Sequence, residues 1–403
     1  MAKLNKATYL VIVLLLALSS FLAIKANFFD GSEAQVQNTG RVNRLGSGSS
    51  NQATVGQQVL VNYPISFPAD HGEHPAFDIE WWYLTANLED EQGNIYGLQW
   101  TLFRFRTPTQ LADKTSWSND QLYMAHASVN SLDSHWFSEK FARGEVGNAG
   151  VELNPLHLYI DDWNWLNTAV PSKSDASARE QLLPANLVFQ IPLINTTKAQ
   201  EHSLLQVSVA LQQQGPFVLQ GDKGYSIKSA DGAYASYYYS NPSIDIEGQF
   251  TFGQDKPDQA SSSIAVKGQA WFDHEWTSQL VDRQTLGWDW LSLHLDDGSK
   301  LMAFRMRIEG QADYITGTLV QANGTQTLLT EENLSLEPSA WIEVNQRKLP
   351  LNWQLNIPQF DINIAVKTLK NEQWNPALIA YYEGMVDVSG SHSGKGFLEL
   401  TGY

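Results

Sequence analysis

The chain has 403 residues, of which 43% are apolar and 11% aromatic, with 14 tryptophans and no cysteine. This length and composition allow two or three domains with sizeable cores, and they exclude disulfides, thiolate chemistry and lipid attachment through cysteine. The formal net charge of −17 argues against the basic face that nucleic acid requires, so no nucleic-acid partner is expected.

The N-terminus carries a targeting signal. Lys3 and Lys6 precede an uncharged, apolar run over residues 7–24, the pattern of an export signal. The run is at the lower limit of what spans a bilayer, so residues 1–26 are predicted to be a cleaved signal peptide or a retained signal anchor. Residues 27–62 are rich in Gly, Ser, Gln and Asn and are predicted to be a flexible linker. Either way, the body is expected in the cell envelope, at a periplasmic or other extracytoplasmic location.

After the linker the sequence predicts β-strands rather than helices. Residues 78–88 are aromatic and alternate with period two, an acidic turn follows, and residues 98–106 form the next apolar run. Short strands separated by turn residues predict a barrel or a sandwich.

An internal repeat divides the body. Residues 81–90 read WWYLTANLED and are echoed by residues 288–297, which read WDWLSLHLDD. The ends of the two copies also match, because a Tyr-Tyr pair and then a Lys-Gly pair recur in the same order. We favour a true repeat over chance similarity between hairpins, which predicts β-domains over residues 63–278 and 279–403.

Several ordered motifs resemble one known family. The motifs are HPAFDIEWWY at residues 74–83, LQGDKGYS at 219–226 with ASYYYS at 235–240, AWFDHEW at 270–276 and YEGMVDVSG at 382–390. On these motifs the chain is identified as a member of the AttH-type family, which includes the carotenoid 1,2-hydratases (hydroxyneurosporene synthases) and lipocalin-like exported proteins. The resemblance implies an all-β fold of two lipocalin-like antiparallel β-barrels in tandem. It does not imply one function, because a fold serves many.

The string DHEW at residues 273–276 is the main candidate site. On strand periodicity His274 and Trp276 share one face, while Asp273 and Glu275 share the other. The resemblance to the hydratases implies that His274 and Trp276 take part in function. An imidazolium or a carboxylic acid would protonate an alkene, and an indole face would stabilise the resulting cation. Asp273 is the third catalytic candidate.

Two interpretations of this string stay open. The tyrosine and aspartate that the hydratases use downstream have no counterpart near residues 295–305. The string also has no copy in the second repeat, where Gly402 stands opposite His274. The string is therefore either a ligand site or a junction that packs one barrel against the other, and the junction is favoured.

Other side chains are candidates for binding a ligand in the first barrel. Glu80 and Arg104 fall on the apolar faces of neighbouring strands, which predicts a buried ion pair. That pair would either close the barrel base or anchor the head group of a ligand. The remaining ligand-binding candidates are Trp82 beside Glu80, Tyr237 and Tyr239 in the barrel wall, and Asp222 in a turn at the barrel mouth.

His71 and His74, with Glu73 between them, give only a weak metal signal. Two histidines three residues apart are not a ligand set, so both are predicted to be solvated loop residues. No metal and no cofactor is expected.

Two functions are compatible with these observations. The first is an exported protein that binds a hydrophobic small molecule, a lipid or an isoprenoid, as an accessory to an ABC-type transport system. Its partners would be that ligand, transporter components and the membrane, through residues 7–24. The alternative is a hydratase- or cyclase-like enzyme that acts on an isoprenoid or polyene alkene, with His274 as the acid. A protein–protein adaptor whose barrels are filled with side chains is a third reading.

Overall fold

The computed structural model describes residues 56–107, 119–144, 146–172, 177–193, 203–253, 261–279 and 286–403. The predicted signal or anchor over residues 1–26 and most of the predicted linker lie outside these residues. Within the described part of the chain, every helix is too short or too polar to cross a bilayer.

The described chain is built almost entirely from β-strands, which form two antiparallel sheets. The first sheet contains β1 (Ile79–Asp90), β2 (Ile95–Arg106), β3 (Gln121–Ser131), β4 (His135–Arg143), β5 (Ala149–Leu153), β6 (Leu156–Ile160), β7 (Trp163–Asn167), β8 (Ala185–Pro192), β9 (Leu204–Gln213), β10 (Val218–Leu219), β11 (Tyr225–Ile227), β12 (Ala235–Gly253) and β13 (Ser262–Thr277). The second contains β14 (Leu286–Leu295), β15 (Lys300–Ile308), β16 (Tyr314–Val320), β17 (Gln326–Thr330), β18 (Ser335–Val344), β19 (Arg347–Ile357), β20 (Ile362–Thr368), β21 (Trp374–Asn375), β22 (Tyr381–Gly390) and β23 (Gly394–Leu400). Short 3₁₀ turns lie at Ala69–His71, Ala178–Glu180 and Pro358–Phe360.

The strand order repeats between the two sheets. The first sheet runs β4-β3-β2-β1-β13-β12, and the second runs β17-β16-β15-β14-β23-β22. Each sheet therefore pairs its first strand with its last. The predicted all-β fold of two tandem lipocalin-like units is confirmed. The first sheet continues through β9 to β5 and nearly closes into a barrel, whereas the shorter second sheet forms a half-barrel.

The first sheet ends at Thr277 and the second begins at Leu286, while the domain boundaries near residues 63 and 278 stay predictions. The packed chain begins before Tyr63. Val59 is buried in the first core, and the backbone N–H of Leu60 donates to the Tyr237 hydroxyl oxygen at 2.7 Å.

Strand β1 is apolar on both faces because both faces are covered. Trp82 and Leu84 point into the core of the first barrel. Tyr83 points the other way and packs between the sheets in a separate cluster with Trp290 and Met385. An antiparallel strand with one solvated face would alternate apolar and polar residues. The two-sided burial of β1 therefore marks the place where the two sheets pack face to face.

The Lys-Gly pair that recurs in both copies has a steric reason. A Cβ atom at Gly268 would lie 2.0 Å from the carbonyl oxygen of Asn87, and one at Gly396 would lie 2.0 Å from that of Ser292. Both distances are far shorter than van der Waals contact. Glycine is therefore what lets the first and last strands of each copy approach so closely.

Candidate functional site

The residues of the DHEW string alternate between two different surroundings. His274 and Trp276 point into the first barrel, where Trp276 is part of the core. Asp273 and Glu275 point the opposite way and line a cavity between the two sheets. One strand thus contributes to the barrel interior with one face and to the contact region of the sheets with the other.

His274 lies in a closed hydrogen-bond network inside the first barrel. Its Nε2 atom is 2.9 Å from Oε1 of Glu80, and its Nδ1 atom is 3.1 Å from the hydroxyl oxygen of Tyr239. The same hydroxyl is 2.8 Å from Nδ1 of His71. The indole of Trp82 stacks on the His274 ring with centroids 4.6 Å apart. All five side chains are completely buried, so the network is sealed from solvent.

Burial keeps two of these histidines neutral. Desolvation lowers the pKa of His274 to about 4, although Glu80 opposes the shift, and it lowers the pKa of His71 to about 3. A neutral imidazole has no imidazolium proton to give. These surroundings do not favour His274 as the proton donor, and that role stays a prediction.

The predicted ion pair between Glu80 and Arg104 is present. The two residues are register partners on β1 and β2, and Nε of Arg104 donates to Oε2 of Glu80 at 2.8 Å. Both side chains are fully buried. The guanidinium also donates to the Gln121 side chain and to the carbonyl oxygens of His74 and Phe77. The pair therefore fastens the segment that precedes β1 to the barrel.

The prediction that His71 and His74 are solvated was wrong. His71 is completely buried. The His74 ring stacks face to face on Trp276 at a centroid distance of 3.9 Å, with Nδ1 2.5 Å from Glu80 and Nε2 3.1 Å from Asp70. Burial acts to lower the pKa of His74, but the two carboxylates outweigh it and raise the pKa to about 9. Buried carboxylates and aromatic rings thus draw this segment inward, with His74 as an imidazolium.

Within the part of the chain that the structure describes, His74, Glu80 and His274 form a group that could hold a metal ion, because their donor atoms lie within 4.8 Å of one another. In this geometry both imidazoles already bond to the Glu80 carboxylate, and Arg104 binds its other oxygen. A divalent cation would be repelled by the Arg104 guanidinium and by the His74 imidazolium. The surroundings of this donor set disfavour a metal.

The remaining ligand-binding candidates fall in two places. Glu80, Trp82, Arg104 and Tyr239 gather around His274, as described. The ring of Tyr237 lies 5.7 Å from that of Trp276. Asp222 is exposed in a tight turn, where its N–H donates to the Tyr225 carbonyl oxygen at 2.9 Å, and it does not join the cluster.

A cavity of about 190 Å³ lies between the two sheets. Its wall is mainly aromatic and aliphatic and includes Trp81, Tyr238, Trp290 and Phe304. Sequence reasoning did not predict this cavity. The signal that could have indicated it was the run of large apolar side chains on both faces of β1.

Carboxyl groups from both sheets enter this apolar cavity. Asp273 on β13 accepts hydrogen bonds from the Trp271 indole at 2.8 Å and from the Ser240 hydroxyl. Glu399 on β23 accepts one from the Trp288 indole at 2.8 Å. Burial raises the pKa of each carboxyl to about 7. Near neutral pH both groups are therefore divided between acid and carboxylate, the state that a general acid requires.

Two neighbouring carboxyl groups, those of Glu275 and Glu383, have different partners from Asp273 and Glu399. Glu275 forms a salt bridge with Nζ of Lys228 at 3.0 Å. Glu383, the cross-strand partner of Glu399, has the Tyr83 hydroxyl 2.9 Å from both of its oxygens. Burial and the charge of Glu399 raise the pKa of Glu383 well above its usual range. Sequence reasoning missed Glu399, which interacts with Asp273 only through the packing of the two sheets, and Glu383, which is its cross-strand neighbour.

The chain matches the family model described as AttH-like over residues 58–403. A solved structure described as an AttH from Nitrosomonas europaea is 28% identical, with a TM-score of 0.69 over 86% of this chain and 99% of that chain. Kievitone hydratase from Nectria haematococca is 16% identical, with a TM-score of 0.57 over 86% of this chain and 96% of that chain, a likeness of fold. No curated protein matches the sequence. The match across nearly all of the described residues, together with the shared fold, shows that the chain belongs to the AttH-like family.

Proposed function

We propose that this protein is an enzyme that protonates a carbon–carbon double bond of a hydrophobic substrate, an isoprenoid or polyene alkene, and completes the reaction by adding water. The observation that supports this function is the position of Asp273. Its carboxyl group has a pKa of about 7 and lies in the wall of an apolar cavity. Protonation of an alkene carbon requires an acid that is still protonated near neutral pH.

The aromatic wall suits the cation that such a reaction forms. Ring faces stabilise a nearby positive charge through their quadrupoles. The Lys228 ammonium already lies 4.5 Å from the centre of the Tyr238 ring and 4.8 Å from that of Phe304. Because this ammonium, paired with Glu275, already occupies the faces of Tyr238 and Phe304, the rings left to stabilise a carbocation in the cavity are those of Trp81 and Trp290.

The fold is compatible with this chemistry. A structural neighbour of the same fold is named as a hydratase, kievitone hydratase. Fold alone does not assign function, so the proposal rests on Asp273 and its cavity. In this scheme Glu399 is a second buried acid. Burial raises the pKa of its carboxyl, and the nearby charge of Asp273 raises it further.

A second candidate function is a carrier without chemistry. In this case an exported protein would hold a lipid or isoprenoid beside an ABC-type transporter. The apolar run over residues 7–24 favours this candidate, because it predicts a location in the cell envelope. Asp273 and Glu399 would then serve only to bind a polar head group.

The two candidates differ in what happens to a bound alkene. The full-length chain would be purified in detergent, extracted to identify any bound ligand by mass spectrometry, and incubated with squalene, or with that ligand, in deuterated water. The enzyme predicts carbon-bound deuterium and a mass gain of one water, both reduced about 10²-fold or more by Asp273→Asn. Asp245→Asn, at an exposed position on β12, is the matched control. An intact co-purified ligand that is never deuterated, with the same affinity in Asp273→Asn, would favour the carrier.

A further inference from the structure

A second group of titratable side chains reaches the same cavity from β3 and β22. Tyr381 and His126 both line the cavity. The Tyr381 hydroxyl oxygen lies 3.2 Å from Nδ1 of His126, and the two rings stack with centroids 5.6 Å apart. On the far side of the imidazole, Nε2 lies 3.4 Å from Oε1 of Glu139. A continuous path therefore runs from the cavity through Tyr381, His126 and Glu139.

The surrounding structure fixes the imidazole in this path. His126 and Glu139 are register partners on β3 and β4, so their side chains share a face of the sheet. The backbone N–H of Leu378 donates to Oε1 of Glu139 at 2.9 Å. Phe103 and Phe137 meet the His126 ring edge-on. The His126 side chain is 1% exposed and that of Glu139 is 23% exposed, so the path ends at solvent.

The partners of His126 determine which ring nitrogen carries the proton. Nε2 makes no hydrogen bond in this geometry, but a carboxylate can only accept one, so the 3.4 Å approach of Glu139 favours a proton on Nε2. Nδ1 is then the acceptor of the Tyr381 hydroxyl proton. Burial lowers the pKa of His126, with Glu139 opposing it, so the ring is neutral at neutral pH. Burial and the nearby Glu383 and Glu399 raise the pKa of Tyr381 well above its usual range, so the phenol keeps its proton until His126 takes it.

We propose that Tyr381, His126 and Glu139 form the basic side of the active site and take up the proton of the water that adds to the substrate. This inference rests on the proposed function. Asp273 first transfers its proton to one alkene carbon, which leaves a carboxylate and a carbocation. The oxygen of a water molecule then bonds to the cation. As it does so, its proton passes to the Tyr381 oxygen, and the Tyr381 proton passes to Nδ1 of His126.

The atoms and charges of this sequence balance. The product has gained one hydrogen at one carbon and one hydroxyl at its neighbour, and no electrons are exchanged with another molecule. The negative charge of Glu139 stabilises the His126 imidazolium, which then gives up the Nδ1 proton through Tyr381 and a water in the cavity to the Asp273 carboxylate. Nε2 keeps its proton, so Asp273 and His126 both return to their starting states. Proton donation and proton uptake thus use different strands around one cavity: β13 donates, and β3 of the first sheet with β22 of the second takes up the proton.

The protonation state of His126 can be measured without a substrate. The full chain would be labelled with ¹⁵N-histidine and examined by NMR at neutral pH, with the His126 signals assigned from their loss in His126→Gln. We expect a neutral ring with the proton on Nε2. Glu139→Gln is expected to lower the pKa of His126, because it removes the negative charge that stabilises the imidazolium. A neutral ring with the proton on Nδ1 would overturn the inference, because that nitrogen could not accept a proton from Tyr381.

The second measurement separates this inference from the proposed function. With squalene in deuterated water, His126→Gln and Tyr381→Phe are expected to keep carbon deuteration and KM but to lose about 10²-fold or more in the rate of water addition. Asp273→Asn is expected to lose both. His157→Gln is the control, since His157 lies outside the cavity wall with Nε2 2.8 Å from Asn164. Water addition at the wild-type rate in His126→Gln, with Asp273→Asn inactive, would overturn the base while leaving the acid in place. Absence of deuteration in the wild-type chain would instead count against the proposed function.

Discussion

Asp273 and His274 are adjacent in β13, and their side chains lie on opposite sides of the first sheet. Asp273 enters the cavity between the sheets as an acid with a pKa of about 7. His274 lies in the barrel interior, neutral and bonded to Glu80. The residue with a proton available at neutral pH is therefore the aspartate, and the histidine belongs to the network that holds the chain before β1.

Replacing Asp273 by asparagine should stabilise the protein above neutral pH. Burial raises the carboxyl pKa from 3.8 to about 7, so the folded protein keeps this proton to a higher pH than the unfolded chain does. The stabilisation that the protonated carboxyl gives the folded state is complete below about pH 4 and is lost as the pH rises towards 7. The amide still accepts hydrogen bonds from Trp271 and Ser240. We expect a gain of roughly 1–4 kcal/mol at pH 8 that disappears at pH 4, measured by urea unfolding with Asp245→Asn as the control. An equal gain at both pH values would contradict the shifted pKa.

Removing the His74 imidazole should lower the free energy of unfolding more at low pH than at high pH. Its pKa is raised to about 9 from 6.5, so its contribution is complete below pH 6.5 and is lost between pH 6.5 and 9. His74→Ala leaves the Asp70 carboxylate without its cation and leaves Glu80 with Arg104 alone. We expect a loss of about 3–5 kcal/mol at pH 6 and a smaller loss at pH 9.5 in urea unfolding. His157→Ala, whose side chain is partly exposed, is the control for loss of an imidazole outside this cluster.

Glu80→Gln should destabilise the protein by about 3–5 kcal/mol, because it leaves the buried Arg104 guanidinium without a counter-charge. The double variant Glu80→Gln with Arg104→Met should recover part of that loss, since neither charge then remains. A double-mutant cycle from denaturant unfolding measures the coupling. Glu89→Gln, at an exposed position of the same strand, should change stability by less than about 0.5 kcal/mol. Strictly additive effects of the two substitutions would show that the pair contributes nothing.

Gly268→Ala should disrupt the pairing of β1 with β13, because its Cβ would lie 2.0 Å from the Asn87 carbonyl oxygen. Overpacking of this kind costs about 1–3 kcal/mol or more. Gly253→Ala is the matched control in the neighbouring strand, where the nearest atom would be 3.9 Å away. Thermal unfolding of the two variants should show a large decrease in Tm only for the first. Equal Tm values would mean that the strands can move apart at low cost.

The sequence predicts what depends on one strand or one strand pair. The inward position of Glu80 and Arg104 followed from the alternation of apolar residues, and the structure places the two in register. The opposite orientation of Asp273 and His274 followed from the same periodicity. The repeat and the long motifs indicated the family and the two sheets.

What the sequence did not predict depends on contacts between distant segments. The loop histidine His74 is drawn inside by Glu80 and Trp276, and no local pattern distinguishes it from a solvated residue. The cavity exists only because two sheets pack face to face, which brings Glu399 near Asp273 across more than a hundred residues of sequence. Periodicity assigns a face to each side chain but does not say what covers that face.

In each copy of the repeat the first strand pairs with the last, β1 with β13 and β14 with β23. This pairing affects how the gene could be rearranged without disrupting the protein. The two ends of each copy are hydrogen-bonded neighbours, so the segment that joins the copies interrupts no strand pair. A duplicated unit of this kind can be added, lost or reordered without opening a sheet. A circularly permuted chain that begins at β14 and ends at β13 would retain all the strand pairs of both sheets, and the two units would still meet through the same aromatic faces.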